Sequence, residues 1–246
     1  MNADPFAQLK LLDLQALDTT LTRLAARRRT LPALEAIAAA ELEISRLSDT
    51  LLGFETEVAD RGRAAAKLEI EIEQVRARSD RDQQRLDTGS VPAAQLESLQ
   101  HEITSLARRQ SSLEDDELEI LEAKETAEKG VAETTAKITG ASDLRIAAEA
   151  ERDQQFAEID AESAETTSRR AALATELPDD LLRLYERLRD DHGGTGAAAL
   201  LRRRCEGCHL ELAGNELTQV RDAPPQEVLR HDDCGRILVR TGESGL

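Results

Sequence analysis

The sequence contains no tryptophan, and aromatic residues make up only 2% of its 246 residues. Large aromatic side chains supply much of the bulk of a globular core, so their scarcity argues against a large compact core. The hydrophobic fraction of 40% consists mostly of alanine and leucine, and charged residues make up a further 33%. That combination is typical of long helices and coiled coils.

Long apolar runs are also absent, and cysteines are few. No run approaches the ~20 residues that a membrane-spanning helix needs, and the acidic, periodic N-terminal segment is unlike a signal peptide. The three cysteines, Cys205, Cys208 and Cys234, lie in one short window, unlike the even-numbered, dispersed set of a disulfide framework. We therefore expect a cytoplasmic protein with a metal ion and no membrane contact.

The net charge of −17 argues against broad affinity for DNA or RNA, because such binding depends on cations that displace counterions from phosphates. Any nucleic-acid contact must be local. The sequence also lacks a Walker-type glycine loop and a G-x-S-x-G motif. We expect a non-enzymatic protein without a small-molecule substrate.

After Leu9, leucines recur at alternating spacings of three and four residues from Leu14 to Leu24, with one seven-residue gap before Leu31, as in the seam of a coiled coil. The seam continues less regularly to Val75, and its members are Leu14, Leu17, Leu21, Leu24, Leu31, Leu42, Leu47, Leu51, Phe54, Val58, Ala65, Leu68, Ile72 and Val75. Pro32 interrupts it, which predicts a kink or a new helix start with Thr30 as a candidate cap.

A turn is predicted in "LDTGSVPAAQ", where Gly89 can end one helix and Pro92 can begin the next. The seam then resumes at Leu96, Leu99, Ile103, Leu106, Leu113, Ile120, Val131, Ile138, Ile146, Phe156, Ile159 and Leu173. The two arms have nearly equal lengths, so residues 1–176 are predicted to form a long antiparallel coiled-coil hairpin with its turn near 87–93. At ~1.5 Å per residue each arm would extend roughly 120 Å.

Charges suggest a register in which residue i lies beside roughly residue 180 − i. The acidic run from Glu114 to Glu119 then falls opposite Arg61, Arg63 and Lys67. The basic run Arg27, Arg28 and Arg29 falls opposite Glu151 and Asp153. Such exposed pairs contribute only ~0–1 kcal/mol each, so they indicate register more than stability.

Residues 177–196 are predicted to connect the hairpin to a second module. "DDLLRLYERLRDD" is a short amphipathic helix, and "HGGTG" after it is a glycine-rich hinge. Beyond it, "AAALLRRR" and "GRILVR" have the length and composition of short strands. Residues 197–246 are therefore predicted to be a small β-rich zinc ribbon.

Zinc in such modules prefers four tetrahedral ligands in two close pairs. Cys205 and Cys208 form one pair, with Gly207 in its turn, and His231 and Cys234 form the other, followed by Gly235. We predict one structural Zn²⁺ bound by Cys205, Cys208, His231 and Cys234. For the place of His231, the alternatives are Asp232, Asp233, His209 or water.

Arginines beside the first ligand pair suggest a nucleic-acid contact on the ribbon. The candidate residues are Arg202, Arg203, Arg204, Arg236 and Arg240, with Arg221 and Arg230 elsewhere in the module. A solvated loop or strand is the simpler interpretation of the arginine run. The ribbon also has no aromatic residue on which a base could stack.

Four stretches together resemble a known family. "AQLESLQHEI", with Leu96, Leu99, Gln100 and Glu102, resembles the motif E-x-x-A-L-Q-x-E-I at the return of a hairpin. "LPDDLLRLYERLR" resembles a helix leading into a ribbon, and "CEGCHLEL" and "CGRILVR" resemble its two ligand-bearing turns. The family consists of bacterial proteins with a long coiled-coil hairpin and a C-terminal C4-type zinc ribbon. The alanine- and arginine-rich composition resembles an actinobacterial member.

The resemblance covers essentially the whole chain and implies architecture more than task. It implies a C4 site, but this sequence has His231 in place of the fourth cysteine. Family members are described as nucleic-acid-binding or regulatory proteins, and some relatives as adaptors or chaperones for flagellar or secretion systems.

Such a chain has three candidate functions. The first is an adaptor whose coiled coil binds protein partners and whose ribbon binds DNA or RNA. The second is a protein-interaction scaffold or chaperone without nucleic-acid binding, which the acidic hairpin fits equally well. The third, a hydrolytic zinc enzyme, is set aside, because it needs an open coordination position in a water-excluding pocket.

Overall fold

The computed structural model describes all residues from Met1 to Leu246, and most of them are helical. The elements in chain order are α1 (Pro5–Arg29), α2 (Pro32–Asp87), α3 (Leu96–Ala174), α4 (Asp179–Asp191), β1 (Ala197–Leu201), β2 (Arg204–Cys205), α5 (Gly214–Asp222), β3 (Leu229–Arg230) and β4 (Ile237–Val239). This order confirms the predicted fold class of a helical hairpin followed by a small β-rich module. None of the helices combines the length and apolar character needed to cross a membrane.

The first arm consists of two helices, as Pro32 predicted. Thr30 caps the C-terminus of α1, where its backbone N–H donates to the carbonyls of Ala26 and Arg27. Pro32 is the first residue of α2. The N–H group that proline lacks would have no acceptor within the helix at this position, so proline is tolerated there.

A turn separates α2 from α3. Gly89 has a φ of 63°, a left-handed conformation that glycine adopts without steric cost. Pro92 follows in an extended conformation and precedes a single 3₁₀ turn at Ala93–Gln95, which leads into α3.

The chain forms two compact units. Residues Glu35–Glu149 form one, which we call the hairpin unit. Residues Met1–Leu34 together with Ala150–Leu246 form the other, which we call the ribbon unit. In the hairpin unit α2 and α3 run antiparallel, and Arg78 pairs with Glu102 and Arg109 with Glu71 between the two helices.

Most predicted seam residues of the hairpin unit are buried or half-buried. Two predictions are wrong, because Leu42 is 74% and Ile146 is 56% exposed. In their neighbourhoods Ala148 and Leu47 are buried instead. The predicted seam used apolar character alone, so it could not distinguish which of several neighbouring apolar residues face the other helix.

The predicted charge pairs of the hairpin unit do not form. Arg61 and Arg63 pair with acidic residues of their own helix, at spacings of four and three residues. Glu114 pairs across the hairpin with Arg76, at 3.3 Å, and not with the predicted basic residues. Complementary charge between the arms is therefore present, and the pairs Arg78–Glu102 and Arg109–Glu71 agree with the predicted register, although the particular charge pairs from which it was deduced do not form.

In the ribbon unit the register differs from the predicted one. Arg27 pairs with Glu158 at 3.9 Å, and Arg28 pairs with Asp160 and lies 4.1 Å from the centre of the Phe156 ring. These partners lie about two helical turns beyond the predicted ones. Non-helical residues at the break before Pro32 explain part of the difference, since each can advance about 3.3 Å compared with 1.5 Å in a helix.

The strands form one sheet in the order β2-β1-β4-β3, with β1 parallel to β4 and the other neighbours antiparallel. Alternate residues face opposite sides of it. Ala197, Ile237 and Val239 join a core with α1 and α4 whose members include Leu11, Leu14, Leu181, Tyr185 and Leu188. On the other face Ala198, Leu200 and Leu238 pack with Val220 of α5 and with Cys205. The ribbon therefore packs directly against the helices.

The predicted hinge residues form a C-terminal cap on α4. Gly193 and Gly194 have φ values of 66° and 100°, and the Gly194 N–H donates to the Arg189 carbonyl at 2.8 Å, a Schellman arrangement. Gln15 of α1 holds this segment, because its amide donates to the Gly194 carbonyl and accepts from the Gly196 N–H, both at 2.8 Å.

A buried polar cluster lies between α1, α3 and α4. The carboxylate of Asp18 accepts hydrogen bonds from Arg170 at 2.6 and 3.1 Å, from Arg189 at 3.0 Å and from the Tyr185 hydroxyl at 2.7 Å. Glu186 accepts a further bond from Arg170 at 2.5 Å. No sequence pattern indicated this cluster, since a single aspartate in a helix rich in charged residues is equally compatible with an exposed position.

Candidate metal centre

The two predicted ligand pairs meet in space. The sulfur atoms of Cys205, Cys208 and Cys234 and one ring nitrogen of His231 all lie within 4.8 Å of one another. Cys205 Sγ is 4.0 Å from Cys234 Sγ, and His231 Nδ1 is 3.4 Å from Cys208 Sγ and 3.2 Å from Cys234 Sγ. Zinc–sulfur bonds of about 2.3 Å and zinc–nitrogen bonds of about 2.0 Å place tetrahedral ligand atoms at similar separations. The cluster thus fits one structural zinc ion.

Both ligand pairs lie on turns of the same backbone geometry. We call Cys205–His209 the first knuckle and His231–Gly235 the second. The His209 N–H donates to the Cys205 carbonyl at 2.7 Å, and the Gly235 N–H donates to the His231 carbonyl at 2.7 Å. His209 and Gly235 both have positive φ, of 62° and 69°. The repeat gives His231 the place in the second knuckle that Cys205 has in the first.

This correspondence bears on the alternatives for the fourth ligand. His209 matches Gly235, the residue after the second ligand, and it is exposed outside the cluster. Asp232 and Asp233 are also outside the cluster and exposed. His231 is completely buried and directs Nδ1 at the sulfur atoms.

The surroundings of the thiols favour a cation. Burial, together with the nearby Cys234 and Cys208, raises the pKa of Cys205 to about 11, although backbone N–H groups of the first knuckle partly oppose this. Burial also disfavours the Cys234 thiolate, but hydrogen bonds from Arg236 and His231 outweigh it and lower the pKa of Cys234 to about 7. A second thiolate in so small a volume needs a positive charge, which a divalent metal ion supplies.

Close packing, and not a special φ, explains Gly207 in the first knuckle. A Cβ atom at this position would lie 2.8 Å from Arg236 Cδ and 2.9 Å from Ala198 Cβ. The first knuckle therefore packs against the strand region and against the residue that follows the second knuckle.

Glu216 was missed by the sequence analysis, as was the helix α5 that carries it. It lies in the first turn of α5 with 4% of its surface exposed, and its Oε1 accepts the Asp232 N–H at 2.9 Å. Its Oε2 is 3.8 Å from His231 Nε2. The amphipathic spacing of Leu217 and Val220 could have indicated a helix here, but nothing in the sequence relates Glu216 to the zinc ligands.

The five predicted nucleic-acid residues do not form one patch of free guanidinium groups. Arg236 donates to the carbonyls of Thr195 and His192, at 3.1 and 3.2 Å. Arg240 donates to three carbonyls at the end of α5 and just after it, at 2.6 to 3.2 Å. Both side chains thereby connect segments of the ribbon unit.

The other three arginines lie at the β1–β2 hairpin. Arg202 and Arg203 form its two-residue loop with φ values of 47° and 67°, a conformation usually taken by Asn-Gly. Their N–H groups donate to the carbonyls of Glu243 and Ser244, at 2.9 and 2.8 Å. Both side chains are exposed, and Arg203 Nε donates to the Gly245 carbonyl at 3.0 Å. Arg204 pairs with Glu206 at 3.2 Å.

Comparison with known proteins agrees with this architecture. Residues 14–193 match the model of the CT398-like coiled coil hairpin domain, and residues 204–238 match that of the C4-type zinc ribbon domain. Protein Rv2229c of Mycobacterium tuberculosis (strain ATCC 25618 / H37Rv) is 39% identical over 241 residues, which cover 98% of each chain.

Solved structures show the same fold. A Mycobacterium smegmatis protein is 32% identical with a TM-score of 0.87, covering 98% of this chain and 100% of its own. CT398 from Chlamydia trachomatis has a TM-score of 0.71 at 18% identity, covering 96% of this chain and 98% of its own, so that likeness concerns the fold alone. The mycobacterial relatives agree with the actinobacterial resemblance of the sequence. The chain therefore belongs to the family whose members join a CT398-like coiled coil hairpin domain to a C4-type zinc ribbon domain.

Proposed function

We propose that the protein is a non-enzymatic adaptor, in which the helical hairpin binds protein partners and a zinc-stabilised ribbon presents a small basic loop to nucleic acid. The two domains fit a non-catalytic structural role. The observation that carries the proposal is the closed cluster of Cys205, Cys208, His231 and Cys234, because four protein ligands leave zinc no position for a substrate or an attacking water. The unpaired thiols fit a reducing cytoplasm.

Metal content tests the zinc site. The purified protein is expected to contain one zinc per chain by elemental analysis, and His231→Ala and Cys234→Ser are each expected to lose it or bind it far more weakly. His209→Ala is the matched control, because His209 adjoins the site but lies outside the cluster. If His231→Ala binds zinc with undiminished affinity, the fourth ligand is a residue other than His231. If the wild-type protein contains no zinc, the proposed site is wrong.

The loop formed by Arg202 and Arg203 supports the nucleic-acid part of the proposal. The two exposed arginines occupy left-handed conformations that a non-glycine residue adopts at a cost in stability, a feature that clusters at functional sites. The chain as a whole is acidic, so binding must be local and strongly dependent on salt.

The double variant Arg202→Asn/Arg203→Gly tests this loop without disturbing its turn, since Asn-Gly is the preferred sequence for two positive φ values. We expect it to weaken binding of a single-stranded RNA oligonucleotide and to reduce the slope of log K against log salt by up to about 1.4, at ~0.7 per phosphate contact. Fluorescence anisotropy over a salt series measures both. Arg221→Ala, which removes an exposed arginine of α5, is expected to leave the slope unchanged.

A protein-interaction scaffold or chaperone without nucleic-acid binding is the second candidate. This candidate is favoured by the hydrogen bonds within the chain that two nitrogens of Arg236 and two nitrogens of Arg240 already donate. Absence of oligonucleotide binding by the wild-type protein at low salt, with zinc present at one per chain, would select this candidate.

A further inference from the structure

The ring of His231 has one nitrogen whose hydrogen bonding is not satisfied. The side chain is completely buried, and Nε2 has no hydrogen-bond partner. Buried polar groups are almost always paired, because an unpaired donor loses its bonds to water without compensation. An unpaired ring nitrogen beside a metal-ligand cluster therefore calls for an acceptor.

The direction of the ring defines what Nε2 must do. Nδ1 faces the sulfur atoms of Cys208 and Cys234, so it is the nitrogen available to a metal ion. A neutral imidazole that binds a metal through Nδ1 carries its proton on Nε2. In the zinc-bound protein Nε2 is accordingly a hydrogen-bond donor.

Two carboxylates lie near this donor. Glu216 Oε2 is 3.8 Å and Asp233 Oδ2 is 3.9 Å from Nε2. Exposure distinguishes them, because the Glu216 side chain is 5% exposed and that of Asp233 is 61% exposed. Water can satisfy Asp233, whereas Glu216 depends on partners within the protein.

Glu216 is also held in place. Its Oε1 accepts the Asp232 N–H at 2.9 Å, a backbone group of the second knuckle, which leaves Oε2 directed at the His231 ring. The helix that carries it is anchored by Val220, which packs in the core with Cys205. The carboxylate thus has a fixed position beside both the knuckle backbone and the ligand ring.

We propose that Glu216 is the positioning residue of the zinc site, whose carboxylate accepts the Nε2 proton of His231 and fixes the ring for coordination through Nδ1. This inference rests on the proposed ligand set. Carboxylates that accept from metal-bound histidine typically change metal affinity 10–100-fold when removed. A thiolate in place of the imidazole would have no N–H to donate and would be repelled by a buried carboxylate. Glu216 and His231 therefore act as a pair.

The test is zinc affinity of the full chain, measured by competition with a chromogenic chelator. Two donors, the Asp232 N–H and the His231 Nε2–H, point at the two carboxylate oxygens of Glu216. The Glu216→Gln side chain has only one oxygen, so one of these donors would meet an NH₂ group, and zinc affinity is expected to fall about 10–100-fold. Asp233→Asn, which changes a carboxylate at nearly the same distance from Nε2, is expected to have little effect.

A second background separates positioning from general stability. In the His231→Cys variant the further change Glu216→Gln is expected to leave affinity unchanged or to raise it. Equal losses in the wild-type and His231→Cys backgrounds, or no loss in the wild-type background, would overturn the role of Glu216 while leaving the zinc site intact. Failure of the wild-type chain to bind Zn²⁺ would instead overturn the ligand set itself.

One measurement uses only the wild-type protein, so it does not depend on whether a variant folds. In the ¹⁵N-labelled, zinc-loaded wild-type protein, the Nε2 proton of His231 is expected to exchange slowly with solvent and to resonate downfield, as in a hydrogen bond to a carboxylate. A rapidly exchanging proton would contradict the proposal.

Discussion

Removing zinc is expected to unfold the two knuckles and the segment between them while the long helices remain folded. The face of the sheet toward the knuckles has a small core, with Ala198, Leu200, Leu212, Val220 and Leu238 as its buried aliphatic residues. A module of this size without a substantial core depends on its metal, and apparent zinc-binding free energies of about 10–16 kcal/mol are known for zinc-finger peptides.

The residues on the opposite face of the sheet are expected to stay folded when zinc is removed. Ala197, Ile237 and Val239 share a core with α1 and α4, which zinc does not touch. After chelation the amides of His209 and Gly235, which donate within the knuckles, should lose protection from hydrogen exchange, whereas Ile237, bonded to the Gly196 carbonyl, should keep more of it. Exchange measured by mass spectrometry or NMR would show this difference.

Far-UV circular dichroism provides the control for the chelation experiment, because the helical signal should change little. Restoring Zn²⁺, but not Mg²⁺, should restore protection, since thiolates and imidazole suit zinc and magnesium prefers oxygen ligands. Knuckle amides that stay protected in the metal-free protein would show that the apolar contacts are sufficient for folding.

The hairpin was predictable because its signals are local. Each heptad repeats the same apolar spacing. Pro32, Gly89 and Pro92 mark where helices begin or end, because the backbone conformation that each of them favours is set by the residue itself. The predicted register agrees with the pairs Arg78–Glu102 and Arg109–Glu71 near the turn. It fails beyond the break at Pro32, because there it depends on the rise of a few non-helical residues.

The ligand pairs were predictable for a similar reason, since two residues three apart on a tight turn are a local pattern. What surrounds them was not. Glu216 reaches His231 from a helix inserted between the knuckles, so its role depends on tertiary packing. Arg236 and Arg240 were expected at the surface, but folding directs them to backbone carbonyls of neighbouring segments.

The sequence also did not indicate that α1 has a second packing face. A coiled-coil seam explains Leu14 and Leu24, but α1 additionally contacts α4 and the sheet through Leu11, Gln15 and Asp18. These residues follow no single heptad position, because two different partners cover two sides of one helix.

Replacing Asp18 with alanine is expected to destabilise the ribbon unit by about 3–5 kcal/mol, because removing one member of a buried ion pair leaves its partners uncompensated. Arg170 and Arg189 would then lie close together without the carboxylate between them, and the Tyr185 hydroxyl would lose its 2.7 Å partner. Urea unfolding is best followed by tyrosine fluorescence, since Tyr185 is the only tyrosine of the chain and the sequence has no tryptophan. Asp13→Ala, an exposed site on the same helix, is the control and should change stability little.

The pH dependence of this effect follows from the state of Asp18. Burial disfavours its charge, but hydrogen bonds from Arg170 and Tyr185 and the charges of Arg170 and Arg189 outweigh burial, so the pKa of Asp18 is lowered from 3.8. A carboxyl group with a lowered pKa in the folded state stabilises that state above its unfolded pKa and loses this contribution as pH falls through the folded value. The stability difference between the wild type and Asp18→Ala should therefore be constant near neutral pH and shrink below about pH 4. A difference that persists unchanged in acid would mean that packing around Asp18, and not its charge, holds α1 against α3 and α4.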